Sequence, residues 1–199
     1  MATIYLIRHG QKQPHAGNPG LTEVGVNQAK QTGEYLSRFP ISKIISSPFK
    51  RTVETAQNIA DVLQLEHSLH NNLTERMNWN DKNLTRNEFL SERVKTTNDR
   101  DYIPKYGNSS RSTGRKISQL VGKITTNNDE HIVLVTHGGA IVDYLRNLFG
   151  DEELVSLVKE YDEGEDYEML NCAINMVKIS DKSTLELLNF VDHLTESSE

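Results

Sequence analysis

The chain has 199 residues, 36% of them hydrophobic and 25% charged, with a formal net charge of −6. That profile suits one domain large enough to bury a sizeable core, with no apolar run near the roughly 20 residues a membrane span needs. An acidic chain has no global attraction for nucleic acid or anionic lipid, Cys172 is the only cysteine so no intrachain disulfide can form, and MATIYLIRHG lacks the features of a signal peptide, so a cytoplasmic location is expected.

In chain order, apolar β-branched runs alternate with helical periods. TIYLI (residues 3–7) reads as a strand. Over 21–39, Val24, Ala29, Tyr35 and Leu36 recur at roughly helical spacing. KIISS (43–47) is a short strand ended by Pro48. Residues 49–65 are helical, with Val53, Ala56, Ile59, Ala60 and Leu63 on one face. HIVLVTH (131–137) is the clearest buried strand. GAIVDYLRNLF (139–149) is a helix stopped by Gly150, and DEELVSLVKEY (151–161) reads as another. LNCAINMVKIS (170–180) and TLELLNFV (184–191) are late strands joined through a turn-like DKS. Such alternation predicts an α/β fold, a three-layer α/β/α arrangement with a mostly parallel central sheet. A single domain over 1–199 is expected, without repeats or an obvious linker.

Residues 71–112 break the pattern. They are polar and irregular, with one candidate helix around RNEFLSERV (86–94), and a segment of this kind reads as a cap-like excursion. Its bases, Arg76, Lys82, Arg86, Arg93, Lys95, Arg100, Lys105 and Arg111, outnumber its acids. A functional positive wall and an ordinary solvated surface are equal readings of them.

In parallel sheets, ligands sit outside the carboxyl ends of the strands. The first strand ends in Arg8-His9-Gly10. The second ends in Ser46-Ser47-Pro48, with Arg51 opening the next helix. The clear buried strand ends in Thr136-His137-Gly138-Gly139. Glycine after each histidine allows close approach of backbone to a ligand. Two guanidiniums and two imidazoles without evident carboxylate partners repel one another unless a dianion sits among them. Phosphate fits: arginine forks match its oxygens and helix N-termini add donors. A positive field also favours neutral histidine, whose lone pair makes it a nucleophile. Each motif alone carries little weight; the ordered combination carries much more.

Other features read as ordinary structure. His67 and His70 lack the further ligands of a metal site. Cys172 in an apolar strand reads as buried packing. EYDEGEDYE (160–168) reads as solvated loop. Trp79 is equally a pocket wall or a packing residue.

The ordered motifs RHG (8–10), LTEVGVNQA (21–29), SSPFKRTVETA (46–56), LTER (73–76) and VTHGG (135–139) resemble the histidine phosphatase superfamily, which includes cofactor-dependent phosphoglycerate mutases and their phosphatase relatives. YGNSS (106–110) is a weaker match where relatives often carry Gly-Glu-Ser, and NCAIN (171–175) is similar to the family's late strand. The resemblance implies a phosphoglycerate mutase-like fold and assigns roles by position. His9 is the nucleophile that forms a phosphohistidine, Arg8 and Arg51 clamp the phosphoryl oxygens, His137 adds a hydrogen bond, and Glu75 is general acid and then base. It implies no metal and no cofactor. Gln11, His15, Thr22, Arg76 and Gly138 stand beside this set as candidate substrate contacts, although Thr22 is also explained as a helix N-cap. Leu21 and Gly25 read as structural.

There are departures. RHGQKQPHAGNPG has Gln11 and Lys12 where relatives often carry Glu and Ser or Thr, and His15 where mutases commonly place asparagine. The loop to Leu21 and the stretch from Glu75 to His137 are short, whereas a mutase must retain a bisphosphate intermediate. A phosphatase of small-molecule phosphate esters is therefore favoured. A mutase-type isomerase and a non-catalytic phospho-ligand module are the alternatives, and the substrate and oligomeric state stay open.

Overall fold

The computed structural model describes residues 1–80, 84–125, 129–157 and 169–195. The acidic run 160–168, Lys82 and the end of the helix expected over 151–161 lie outside the described residues. Among the described residues, β1 (Ala2–Arg8), β2 (Ile41–Ser46), β3 (His67–Leu69), β4 (His131–Thr136), β5 (Ile174–Ile179) and β6 (Thr184–Phe190) form one sheet. Their order is β3-β2-β4-β1-β5-β6. β1, β2, β3 and β4 are mutually parallel, while β5 pairs antiparallel with β1 and β6 antiparallel with β5. The chain therefore has the expected α/β fold, with an antiparallel hairpin on one side of a parallel sheet.

Helices α1 (Glu23–Leu36), α2 (Lys50–Leu63), α4 (Ser110–Ile124), α5 (Gly138–Phe149) and α6 (Asp151–Leu157) join the strands, with α3 (Arg86–Asn98) set between a 3-10 turn at Asn71–Leu73 and α4. β1 is apolar throughout because both its faces are covered. Ile4 and Leu6 pack with Ile132, Leu134, Ile117, Leu120, Ile141 and Tyr144, so this face lies under α4 and α5. Tyr5 and Ile7 point the other way, into Val133, Val135, Leu36, Ala56 and Ile59 of β4, α1 and α2. Alternate residues of the same strands thus supply two cores, one on each side of the sheet.

Three elements differ from the sequence reading. The buried stripe of α1 runs through Gly25, Ala29, Thr32, Gly33 and Leu36, while Val24 is 37% exposed. A Cβ on Gly33 would stand 2.9 Å from the Val62 side chain, so α1 meets α2 through glycine rather than a bulky residue. α4 was not anticipated, although its buried face carries Ile117, Leu120 and Val121 at helical spacing behind Ser110, Thr113 and Gly114 of its first turns. A Cβ at Gly114 would overlap the Asp143 carbonyl of α5, so the first turns of α4 meet α5 through small residues. Cys172 lies outside a strand, in a turn at φ 54°. It is nonetheless buried, its N–H donates to the Arg8 carbonyl at 3.1 Å, and burial pushes its thiol up to about 12. Among the described residues no helix is long and apolar enough to cross a membrane.

Candidate active site

The sheet brings the three strand ends level. Arg8 stands opposite Thr136 in the β1–β4 ladder, and Ser46 opposite Val135 in the β2–β4 ladder. The His9 amide donates to the Thr136 carbonyl at 3.0 Å and the Ser47 amide to the Val135 carbonyl at 3.0 Å, extending both ladders by one residue. The turn that follows is tucked beneath α1. Gly10 N–H donates to Thr55 Oγ1 at 3.0 Å, a Cβ on Gly10 would stand 2.5 Å from the Gly25 carbonyl oxygen, and one on Gly25 would overlap the Gln11 carbonyl. Two glycines in the matching motifs therefore share one close contact.

His9 is 5% exposed. Its Nδ1 lies 2.8 Å from the Gly10 carbonyl. A carbonyl only accepts, so Nδ1 carries the proton and Nε2 keeps its lone pair. Burial, then the neighbouring Arg51, with Arg8 and Lys12 adding to it, lowers the imidazole to about 3 against the opposing Gly10 bond. His137 is fully buried, 5.4 Å from His9 between ring centroids. Arg51 Nη2 donates to its Nδ1 at 3.1 Å, so its Nε2 carries the proton and faces Ser47 Oγ at 3.0 Å. Burial and then Arg51 hold it well below the ordinary histidine value.

Arg51 opens α2 and is 4% exposed. Its Nη2 also donates to Asn78 Oδ1 at 3.3 Å, and the guanidinium lies 4.9 Å over the Phe49 ring. Its Nε and Nη1 are buried and meet no acceptor among the described residues. Such unsatisfied charged donors are costly, and an oxyanion supplies what they lack. Arg8 donates Nη1–H to the Met169 carbonyl, and a Cβ on Gly138 would lie 3.5 Å from its Cδ.

Glu75 follows the 3-10 turn. Its Oε1 accepts from the Arg76 amide at 2.9 Å. A Cβ on Gly139 would stand 2.8 Å from the same oxygen, so the carboxyl rests against the first turn of α5, where the helix end carries partial positive charge. The Arg76 side chain turns toward α3 and α5, with Nη1 3.6 Å from Asp143 Oδ1 and donating to the Thr96 carbonyl at 3.2 Å. Asp143 also accepts from Ser110 Oγ at 2.5 Å, and burial raises its carboxyl to about 6 despite Arg76.

These groups open onto a cleft of about 650 Å³, within the range of small-molecule sites. Arg8, His9, Arg51, Glu75, Arg76 and Gly138 line it, and His137 lies behind Arg51. Gln11, His15 and Thr22 are not brought to it. Thr22 caps α1 by accepting from Gly25 N at 3.0 Å, its own hydroxyl donates to Gln11 Oε1 at 2.7 Å, and His15 is exposed. The sequence reading missed Asn78, Asp143, Phe89 and Met169 as lining residues. Asp143 had a signal, a lone acid inside the apolar AIVDYL; Asn78 had none. Trp79 lines the cleft, and its indole donates to the Leu84 carbonyl at 3.2 Å, so it both packs and forms a wall.

The model of the histidine phosphatase superfamily, branch 1, matches residues 4–191. The chain is 30% identical over 164 residues to an uncharacterized phosphatase, PhoE, of Bacillus subtilis, covering 78% of this chain and 82% of that one. Its fold is similar to that of a mycobacterial glucosyl-3-phosphoglycerate phosphatase solved with inorganic phosphate (TM-score 0.77, 21% identity, 97% of this chain and 99% of that one). It is also similar to a phosphoserine phosphatase from Entamoeba histolytica solved with 3-phosphoglyceric acid (TM-score 0.71, 24% identity, 98% and 100%). With the family model spanning nearly the whole sequence, the chain belongs to the histidine phosphatase superfamily.

Proposed function

We propose that the protein is a phosphatase that hydrolyses small-molecule phosphomonoesters through a phosphohistidine on His9. The observation that carries this reading is the neutral His9, its Nδ1 proton held by the Gly10 carbonyl, beside Arg51 with two buried donors unmet among the described residues. Family membership and the phosphatases among the similar proteins support it.

In the proposed reaction Arg8 and Arg51 hold the phosphoryl oxygens, with His137 behind Arg51. The His9 Nε2 lone pair forms a bond to phosphorus as the ester P–O bond breaks. The leaving oxygen takes the proton of the Glu75 carboxyl. Water then attacks the phosphohistidine, Glu75 accepts its proton, and the N–P bond breaks to return the lone pair to Nε2. Most of the barrier reduction comes from positioning and fixed positive charge, which the arginines supply without a metal. A pure binding module has no use for a carboxyl set against α5 beside the phosphate corner. Residues 71–112 act in this reading as a cap, and 1–199 as one domain.

A substrate panel tests it. Release of free phosphate from several esters, inhibited by vanadate and unaffected by a chelator, is the expected result. Isomerisation without net release would favour a mutase, and loss of activity in chelator would require a metal.

A further inference from the structure

Beyond the phosphate corner the cleft runs beneath α3, and its walls change in character. α3 presents Arg86, Phe89, Leu90 and Arg93 to it, the i, i+3, i+4, i+7 spacing of one helical face. Met77 and Trp79 line it from the loop after Glu75. This wall is built rather than loose. A capping box between Thr85 and Glu88 fixes the start of α3. Arg76 and Arg146 hold its end by donating to the Thr96 carbonyl at 3.2 Å and the Thr97 carbonyl at 3.4 Å. Leu90 is 43% exposed, an apolar side chain facing open cleft.

The charge balance there is inverted. Among the described residues, seven arginine or lysine side chains line the cleft against the carboxylates of Glu75, Asp143 and Asp151, in a chain whose formal charge is −6. Two of those carboxylates are already engaged, Asp143 with Arg76 at 3.6 Å and Asp151 with Arg146 at 2.6 Å. A phosphoryl group clamped by Arg8 and Arg51 does not use Arg86, which sits on the helix face beside the apolar residues. A small polar leaving group would leave Phe89, Leu90 and Trp79 uncovered.

Resting on the phosphatase reading of the inner corner, we propose that the cleft selects phosphomonoesters of an amphipathic alcohol. A planar apolar group lies against Trp79, Phe89 and Leu90, and a second anionic group beyond it meets Arg86.

Three primary alkyl esters with similar leaving oxygens test this: ethyl phosphate, 2-phenylethyl phosphate and 2-(4-carboxyphenyl)ethyl phosphate. The expected kcat/KM rises about tenfold with the ring and about a few-fold more with the carboxylate. Within Phe89→Ala the advantage of phenylethyl over ethyl shrinks. Within Arg86→Gln the ring advantage stays and the carboxylate advantage disappears. Equal kcat/KM for the three esters, or ratios unchanged in both variants, would overturn the proposal. The matching phosphonates, titrated calorimetrically, separate it from the reading beneath it. If no ester is hydrolysed but the phosphonates bind in the stated order, the phosphatase reading fails and the subsite stands. Equal phosphonate affinities sink the subsite however fast the esters turn over.

Discussion

His9 is neutral because it is buried beside a guanidinium, and that single condition shapes both its chemistry and its cost. Replacing it with alanine is expected to abolish turnover while circular dichroism and unfolding stay cooperative, since the proposed reaction runs through the free Nε2 lone pair of His9; substantial remaining turnover would remove it as nucleophile. The cost shows in pH dependence. His9 is held near 3 and His137 well below its ordinary value, so below about pH 6.5 the unfolded chain takes up protons that the folded one refuses, and stability falls as pH drops toward 3. Asp143, raised to about 6, works in the opposite direction: between about pH 6 and 3.8 the folded state keeps a proton that the unfolded chain releases. His137→Gln should therefore lose less of its denaturant midpoint between pH 7 and 4.5 than wild type; equal losses would mean that His137 titrates normally. At this scale Arg8, His9, Arg51 and His137 were legible because they stand at or just after the ends of strands, whereas Glu75 came only from the resemblance to a known family. Asn78 and Met169 were not, since nothing in their type or spacing marks them before the loops that carry them are folded.

The elements meet the site through their ends and their glycines. Gly139 in the first turn of α5 lets Glu75 Oε1 approach to within 2.8 Å of where a Cβ would sit. Gly139→Ala should displace that carboxyl and slow esters with poor leaving groups by about tenfold more than aryl esters, because only the former need a proton; equal slowing would count against the acid role of Glu75. Asp143 in the same helix is expected to be structural first. Asp143→Ala leaves Arg76 buried beside a lost partner, with an expected loss of about 3–5 kcal/mol by denaturant unfolding; a loss within the scatter of surface substitutions would show that the pair carries no load. β1, β4, α2 and α5 were legible from periodicity because each buries branched apolar residues. α4 was passed over although Ile117, Leu120 and Val121 keep the helical period in its second half; only its first turns, where Ser110, Thr113 and Gly114 meet α5 closely, lack the apolar signal. β3, three residues at the sheet edge with Ser68 and Leu69 exposed, lacks enough burial to leave a pattern.

At the scale of the whole molecule, an acidic chain surrounds a basic cleft. Basic residues that looked like one surface in the sequence separate in space: Arg76, Arg86 and Arg93 line the cleft, while Lys95 pairs with Glu92 at 2.8 Å and Arg111 with Asp101 at 2.8 Å. That division depends on which way α3 faces, and its mixed composition did not reveal it. Because the local field rather than the net charge meets the substrate, kcat/KM for a dianionic ester should fall as salt is raised from about 0.01 to 0.3 M; a rise would mean that the overall negative charge governs encounter. The covalent step is visible to intact mass under non-acidic conditions, taken just after mixing with an aryl phosphate. A phosphoryl adduct is expected on the wild type and none on His9→Ala. Turnover without an adduct at any mixing time, or the same adduct on both proteins, would contradict it.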